Sequence, residues 1–294
     1  MEYSGFICKT CGMQYPPSQA GARERPTGAR VAEPGESKRS GPEAAPAHCP
    51  ICEDERQYVP GDGQLWTTLA EMQGIYTNRF LELAPSITGI ITEPHFAIGQ
   101  RACLIQTEQG NILWDCIAHL DEATIAQVKT LGGLKAIAIS HPHFYTTMVE
   151  WSRAFDNAPI YLHRANHPWV MRPDEAIHFW DGETHEIIPG ITLVRCGGHF
   201  PGSTFLHWSG AAGQGAIFTG DTIRAVADQR YVSFMYSYPN LIPLDEQAVR
   251  HIVEAVQPFT FQQLYDGWQS ISHDAKEAVI RSAERYITHI QGKA

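Results

Sequence analysis

The stretch Leu134-Lys135-Ala136-Ile137-Ala138-Ile139-Ser140-His141-Pro142-His143 joins a short run of apolar residues directly to two histidines. A short apolar run bounded by a turn such as Gly132-Gly133 predicts a buried β-strand. Two imidazoles at positions i and i+2, in the extended turn after a strand, can converge on one cation. The stretch therefore predicts a metal site at the end of a strand.

Two further strands are predicted to end in metal-ligating residues. Cys196-Gly197-Gly198-His199 places a third histidine in a glycine-rich turn, and Phe218-Thr219-Gly220-Asp221 places a carboxylate at a strand end. Functional side chains concentrate at such junctions between a rigid scaffold and its loops. Three neutral imidazoles and one carboxylate suit Zn²⁺ or Fe²⁺. The sequence therefore predicts a metal site, with zinc and iron both open, whose candidate ligands are His141, His143, His199 and Asp221.

The segments around these motifs alternate between strand and helix patterns. Asp121 can cap a helix that carries Ile125 and Val128, and a later helix carries Val249 and Val256. A last helix is predicted to start near Ser272. Strands that alternate with helices indicate an α/β layer architecture.

The order of the motifs resembles the metallo-β-lactamase fold superfamily over roughly residues 85–294. The matching motifs are the strand that ends in Asp115, the pair His141-x-His143, the turn Gly198-His199-Phe200-Pro201-Gly202-Ser203 and Thr219-Gly220-Asp221. The resemblance implies a four-layer αββα sandwich with the metal site at the edge between two sheets. It also implies that the three histidines form the first metal site and that Asp221 is the bridging ligand.

The second metal site of that superfamily is not matched. The pattern His-x-His-x-Asp-His would place Asp and His where this chain has Tyr145 and Thr146. The last family histidine would fall near Tyr265-Asp266-Gly267-Trp268, which contains none, and His273 is interpreted as a residue at a helix start. Of the second site only Asp221 remains, so we do not expect two metal ions.

Four cysteines near the N-terminus form two Cys-x-x-Cys pairs: Cys8, Cys11, Cys49 and Cys52. Four thiolates in a tetrahedron suit a structural Zn²⁺ or a single iron. The segment resembles rubredoxins and related zinc ribbons. Rubredoxins usually have glycine after the final cysteine, where this chain has Glu53, so we favour zinc and leave iron open. A redox dithiol or four incidental cysteines are the alternatives.

The residues between the two pairs have a different composition from the rest of the chain. Residues 18–47 are rich in glycine, proline and charge and contain no aromatic residue. Such a segment buries too little apolar surface to offset its ordering entropy, so it is predicted to be a disordered insertion. We therefore expect a ribbon domain over residues 1–60 and a metallo-β-lactamase-like domain over residues 61–294.

Three functions are compatible with this pattern. The leading hypothesis is a hydrolase of an ester, thioester or lactone-type small molecule, in which Asp221 orients the attacking water and the Tyr145 hydroxyl donates to a developing oxyanion. The alternatives are a mononuclear-iron oxidative enzyme similar to sulfur dioxygenases and a degenerate, non-enzymatic binding module. Two assignments stay open: His95 is either near the site or a surface residue, and the aromatic stretch 231–238 forms either a pocket roof or packing.

Charge and composition restrict the partners. The chain of 294 residues carries 22 Lys+Arg against 32 Asp+Glu, a net charge of −10, which argues against nucleic acids and anionic membranes. It contains no apolar run of about 18 residues, the length that spans a bilayer. The N-terminus has no signal-peptide pattern, and the 7 cysteines suit a reducing compartment, so a cytoplasmic protein is expected. A homodimer remains an open alternative.

Overall fold

The computed structural model describes residues 5–16 and 45–293. The predicted disordered insertion, about 18–47, falls almost wholly outside the described residues. No helix in the described part of the chain is long and apolar enough to cross a membrane.

The cysteine pairs belong to a small antiparallel sheet with two short helices. In chain order the elements are β1 Phe6–Cys8, β2 Gln14–Tyr15, α1 Pro50–Glu53, β3 Trp66–Thr67 and α2 Leu69–Met72. The strand order is β2-β1-β3, with Ile7 opposite both Gln14 and Thr67. Strand β3 lies beyond residue 60, so the predicted ribbon domain shares its sheet with the segment that follows it.

The first large sheet has seven strands. Its elements, with the helices between them, are β4 Thr77–Ala84, β5 Ile87–Glu93, β6 Ala102–Ile105, β7 Ile112–Trp114, α3 Glu122–Thr130, β8 Ala136–Ala138, α4 Met148–Ala154, β9 Ile160–His163 and β10 Ile177–Trp180. The strand order is β10-β9-β8-β7-β6-β5-β4, antiparallel from β4 to β7 and parallel from β7 to β10. As predicted, the Asp121 side chain accepts a hydrogen bond from Thr124 N, 2.7 Å, and caps α3.

The second large sheet has six strands and carries two hairpins and two helices. Its elements are β11 Thr184–Ile188, β12 Ile191–Arg195, β13 Thr204–Trp208, β14 Ala216–Gly220, β15 Arg224–Ala225, β16 Val232–Ser233, β17 Met235–Ser237, β18 Ile242–Pro243, α5 Glu246–Val256, β19 Gln263–Asp266, β20 Ser270–Ile271 and α6 Ala275–Ile290. The strand order is β11-β12-β13-β14-β19-β20, and β15–β16 and β17–β18 form separate two-stranded sheets. Short 3-10 turns lie at Pro142–Phe144, Arg164–Trp169 and Ala211–Gly213.

The two large sheets pack face to face and form a four-layer αββα sandwich, as predicted. Alternation along β6 shows the arrangement: Cys103 and Ile105 face the core between the sheets, and Leu104 faces the layer of α3 and α4. On the other sheet Leu206 faces the shared core and Phe205 faces α5 and α6. Because both faces of each sheet are covered, the central strands read as continuous apolar runs.

The cysteine-containing sheet packs against the first sheet and its helices. Ile7, Ile51 and Leu69 belong to the same buried cluster as Leu120 and Phe144. The segment therefore shares a continuous hydrophobic core with the sandwich.

Candidate functional site

The four predicted ligands of the histidine site lie together at one edge of the sandwich. His141 and His143 follow β8, His199 lies in the turn after β12, and Asp221 follows β14. Their ligand atoms all lie within 4.8 Å of one another, and all four side chains are buried. His141 Nε2 is 3.3 Å from Asp221 Oδ2, and His199 Nε2 is 3.2 Å from His143 Nδ1.

Neighbouring groups determine which ring nitrogen of two histidines carries the proton. Ser140 Oγ donates its hydrogen to Asp115 Oδ1, 2.7 Å, so it accepts from His141 Nδ1, 2.8 Å. His199 Nδ1 donates to the Met235 carbonyl, 3.2 Å. Both rings therefore direct an unprotonated Nε2 at the cluster, which is the state that binds a metal.

Burial of the cluster favours the neutral form of two of its imidazoles, those of His143 and His199. Burial lowers the pKa of His143 to about 4, and burial together with the neighbouring His141 and His143 rings holds the pKa of His199 well below its ordinary value. Burial alone would raise the pKa of Asp221, but its interactions with the neighbouring His141 and His143 rings hold that pKa well below the usual range. The cluster thus combines neutral imidazoles at His143 and His199 with a buried carboxylate, whose charge burial penalises strongly unless a cation compensates it.

A zinc or ferrous ion fits this donor set. His141 Nε2 and Asp221 Oδ1 are buried without a hydrogen-bond partner among the described residues. Such orphaned atoms, directed at a shared point, are the pattern that a bound cation explains.

Asp115 supports the cluster from behind. Its Oδ1 accepts hydrogen bonds from both Ser140 N, 2.8 Å, and Ser140 Oγ, 2.7 Å. Burial raises the pKa of Asp115 to about 7, although the Ser140 bonds oppose that rise. The sequence placed Asp115 at a strand end, and the structure shows how it orients His141.

A cleft of about 350 Å³ opens onto three of the ligands, His143, His199 and Asp221. The rest of its lining comes from both the sandwich and the cysteine segment: Thr10, Arg56, Gln57, Tyr58, His95, Ala97, Ile98, Arg224, Tyr238, Pro239 and Trp268. His95 therefore lies at the cleft. Of the aromatic stretch, Tyr238 lines the cleft and donates to the Asp221 carbonyl, 3.0 Å, whereas Phe234 packs in the core.

Tyr145 lies away from the cleft. Its side chain is 1% exposed within the hydrophobic core, beside Asn166, and burial raises its pKa above the ordinary value. This buried position corrects the prediction that the Tyr145 hydroxyl donates to an oxyanion. The reason is the 3-10 turn Pro142–Phe144, after which Tyr145 turns inward.

The other positions of the superfamily's second metal site hold no ligand cluster. The Thr146 carbonyl accepts a hydrogen bond from Gln14 N, 3.2 Å, and Trp268 lines the cleft. Asp266 is occupied by backbone donors, with Trp268 N and Gln269 N each 2.6 Å from its Oδ1. His273 is exposed and precedes the N-cap of α6. Within the described residues only the histidine site and the cysteine site form groups able to hold a metal.

The four paired cysteines also converge. Cys8 Sγ is 3.6 Å from Cys52 Sγ, and Cys11 Sγ is 3.5 Å from Cys49 Sγ. Four sulfurs bound tetrahedrally about 2.3 Å from a zinc ion are about 3.8 Å apart, so the spacing fits a four-thiolate metal site. Burial raises the pKa of the Cys11 thiol well above its ordinary value, so its thiolate needs a neighbouring cation. Cys103, Cys116 and Cys196 are buried apart from this group.

Sequence reasoning missed two arginines of the cleft, Arg56 and Arg224. Arg224 follows Asp221 by only three residues, which was a usable signal. Arg56 follows Cys52 closely, but nothing in the sequence indicates that it reaches a turn near residue 199.

Comparison with known proteins agrees with the geometry. No family model matches the chain. The chain is 47% identical over 286 residues to the uncharacterized protein YmaE of Bacillus subtilis (strain 168), a match that covers 96% of this chain and 95% of that protein.

Solved structures with the same fold include VMB-1 and DIM-1. VMB-1 matches with a TM-score of 0.55 at 10% identity, over 72% of this chain and 98% of its own. The metallo-β-lactamase DIM-1, in a crystal exposed to ceftazidime, matches with a TM-score of 0.54 at 11% identity, over 71% of this chain and 97% of its own. The chain therefore belongs to the same family as YmaE of Bacillus subtilis and has the metallo-β-lactamase fold.

Proposed function

We propose that the chain is a hydrolase that uses one metal ion, held by His141, His143, His199 and Asp221, to cleave an ester, thioester or lactone-type small molecule. The observation that carries this proposal is the buried cluster of three histidines and one aspartate at the base of an open cleft. One ion is proposed because the described residues offer no second ligand group on the sandwich.

The metal ion, the groups that orient its histidine ligands and Asp221 have distinct tasks in this proposal. A Zn²⁺ or Fe²⁺ ion bound there would polarise a substrate carbonyl and lower the pKa of water towards about 7. Ser140 and Asp115 hold the His141 ring in its ligand orientation, and the Met235 carbonyl does the same for His199. Asp221 is the one carboxylate of the cluster, and in this proposal it also orients the attacking water.

The cleft favours a substrate that combines an apolar body with an anionic group. The Arg224 guanidinium lies 4.5 Å from the ring centre of Tyr238 and 4.0 Å from that of Trp268. No carboxylate forms an ion pair with Arg224 among the described residues, unlike Arg56, which pairs with Asp54. A half-buried cation between two aromatic faces suits a carboxylate or phosphate on the substrate.

The test is a combined metal and activity measurement. Protein stripped of metal and reloaded with zinc or iron is assayed against matched esters, thioesters and lactones, with and without a carboxylate. We expect hydrolysis that depends on the reloaded metal and is lost in His143→Ala. Iron-dependent oxidation of a sulfur substrate would support the oxidative alternative instead. A histidine site that takes up no metal would leave only a binding module.

A further inference from the structure

Residues close to each cysteine pair of the ribbon contact one of the two loops that carry the histidine ligands. The first pair, Cys8 and Cys11, is continued by Gln14, whose backbone N donates to the Thr146 carbonyl at 3.2 Å. Thr146 lies in the loop that begins at His141. A Cβ on Gly12 would lie 3.4 Å from Thr146 Cγ2, so the ribbon backbone packs directly against this loop.

The second pair reaches the other ligand loop through Arg56, four residues after Cys52. Arg56 Nη1 donates to the backbone carbonyl of His199 at 3.2 Å, and its guanidinium lies 3.8 Å from the ring centre of Phe200. The opposite side of the guanidinium pairs with Asp54. Arg56 Nε donates to Asp54 Oδ1 at 2.6 Å, and Arg56 Nη2 donates to Asp54 Oδ2 at 2.8 Å. Arg56 is 8% exposed, so this contact is made away from bulk water.

The cysteine cluster joins these two contacts. Cys8 and Cys11 are separated from Cys49 and Cys52 by a long stretch of chain, and the two pairs meet at the four sulfurs. Tyr15, from the first side, lies with its hydroxyl 3.0 Å from Cys49 Sγ on the second. A metal bound to all four thiolates would hold both ribbon segments in a fixed relative position.

We propose that the four-cysteine metal site is a clamp on the catalytic metal site, with Arg56 as the positioning residue that couples them. The inference rests on the proposed function, because it assumes a metal at the histidine site. When the thiolates are filled, Gln14 fixes the His141–Thr146 loop and Arg56 fixes the turn of His199. When the thiolate metal is lost, both supports loosen and the histidine site releases its ion faster.

The same clamp sets the shape of the substrate cleft. Thr10 lies within the first cysteine pair, and Gln57 and Tyr58 follow Arg56; all three line the cleft. Loss of the thiolate metal therefore also removes one wall of the cleft, which should raise KM more than it lowers kcat.

Cobalt substitution of the full chain tests the proposal, because it reports the two sites separately. Cobalt bound to four thiolates gives an intense thiolate-to-metal charge-transfer absorption, and cobalt on histidine and carboxylate gives only weak d–d bands. In Arg56→Gln we expect the charge-transfer band to be retained and the histidine-site cobalt to pass to a chelator about tenfold faster or more, since a buried charged hydrogen bond is lost. In Cys49→Ser we expect the charge-transfer band to be lost and the histidine-site cobalt to pass to the chelator faster by the same factor.

Two further variants separate the loss of the Arg56 contact from the effect of an unpaired carboxylate and of losing any arginine ion pair. Asp54→Asn with Arg56→Gln removes the whole ion pair, so no buried carboxylate is left unpaired, and it should match Arg56→Gln. Arg164→Gln, which breaks the exposed pair with Asp181, is the matched control and should release cobalt as the wild type does. Unchanged release in Arg56→Gln or in Cys49→Ser would overturn the clamp while leaving the proposed function standing. A wild-type chain that binds cobalt only at the thiolates would refute the proposed function, and the clamp with it.

Discussion

Gly220 lies so close to Ser140 that a Cβ at position 220 would be 2.3 Å from Ser140 Oγ. Ser140 is the residue that joins Asp115 to His141, and Gly220 directly precedes the ligand Asp221. Gly220 also has φ +54°, a conformation that side chains disfavour. The close approach of two strand ends thus brings His141 and Asp221 to one point.

Gly220→Ala should damage the histidine site as well as the fold. The added methyl group must displace Ser140, which breaks the hydrogen bond that orients His141. We expect a loss in free energy of unfolding of about 2–4 kcal/mol, from backbone strain and overpacking together. Metal retention by the histidine site should fall in parallel. Chemical unfolding and metal analysis of the same samples measure the two effects.

Gly133→Ala is the matched control for that substitution. Gly133 has φ +71°, yet a Cβ there meets nothing within 4 Å. It should cost only the backbone penalty of about 1–2 kcal/mol and leave the histidine site intact. Equal metal loss in the two variants would show that Ser140 does not position His141.

The cysteine site should bind one metal ion of its own. Cys52→Ser is expected to lower the metal content by one equivalent, because a four-thiolate site loses a ligand. Cys103→Ala removes a buried cysteine outside the cluster and should leave the metal content unchanged. Elemental analysis of the purified variants decides this, and an unchanged stoichiometry in Cys52→Ser would exclude a four-thiolate metal.

The ligands of the histidine site could be predicted because each one follows a short, strongly apolar strand. The strand ends at His141 and Asp221 follow from local pattern alone, and the glycines at 197 and 198, both with positive φ, mark the turn that presents His199. The αββα layers follow from the alternation of strand and helix patterns along the chain.

The cleft could not be predicted in this way because its walls depend on long-range packing. Arg56 contacts the His199 carbonyl across 143 residues of sequence, a contact that exists only because the ribbon docks on the sandwich. Tyr145 failed as a candidate for a different reason. Its distance from His143 in sequence was right, but the 3-10 turn directs its side chain into the core.

Tyr145→Phe should therefore leave catalysis nearly unchanged. Loss of an oxyanion donor costs about 10²-fold or more in kcat, whereas we expect a change below about threefold here. The free energy of unfolding should change by about 1 kcal/mol or less, since the buried hydroxyl makes little use of its hydrogen-bonding capacity. Steady-state kinetics on a substrate found in the hydrolysis screen checks this. A drop of 10²-fold with full metal content would return Tyr145 to the mechanism.

His207 should make the fold less stable in acid. Burial lowers the pKa of His207, although its hydrogen bond to the Thr260 carbonyl, 3.0 Å, opposes the shift. Below the unfolded pKa of about 6.5 the unfolded chain binds a proton that the folded chain excludes, so stability falls as pH falls. His207→Gln keeps the N–H donor without titrating, and its free energy of unfolding should drop less between pH 7.5 and pH 5.5. The exposed His273→Gln is the control, and an identical pH dependence in all three proteins would contradict this role.

Arg224→Gln should separate substrate recognition from chemistry. Arg224 lies between Tyr238 and Trp268 at the cleft and forms no ion pair within the described ranges, so its charge is available to a substrate anion. We expect KM for a carboxylate-bearing substrate to rise about 10-fold or more, as loss of a charge-assisted hydrogen bond predicts, with kcat and metal content little changed. For the neutral methyl ester of the same substrate, KM should be unaffected. Arg224→Lys keeps the charge but not the planar fork, so its KM for the carboxylate should lie between those of the wild type and Arg224→Gln. An equal rise in KM for the charged and neutral substrates would show that Arg224 shapes the cleft without binding the anion.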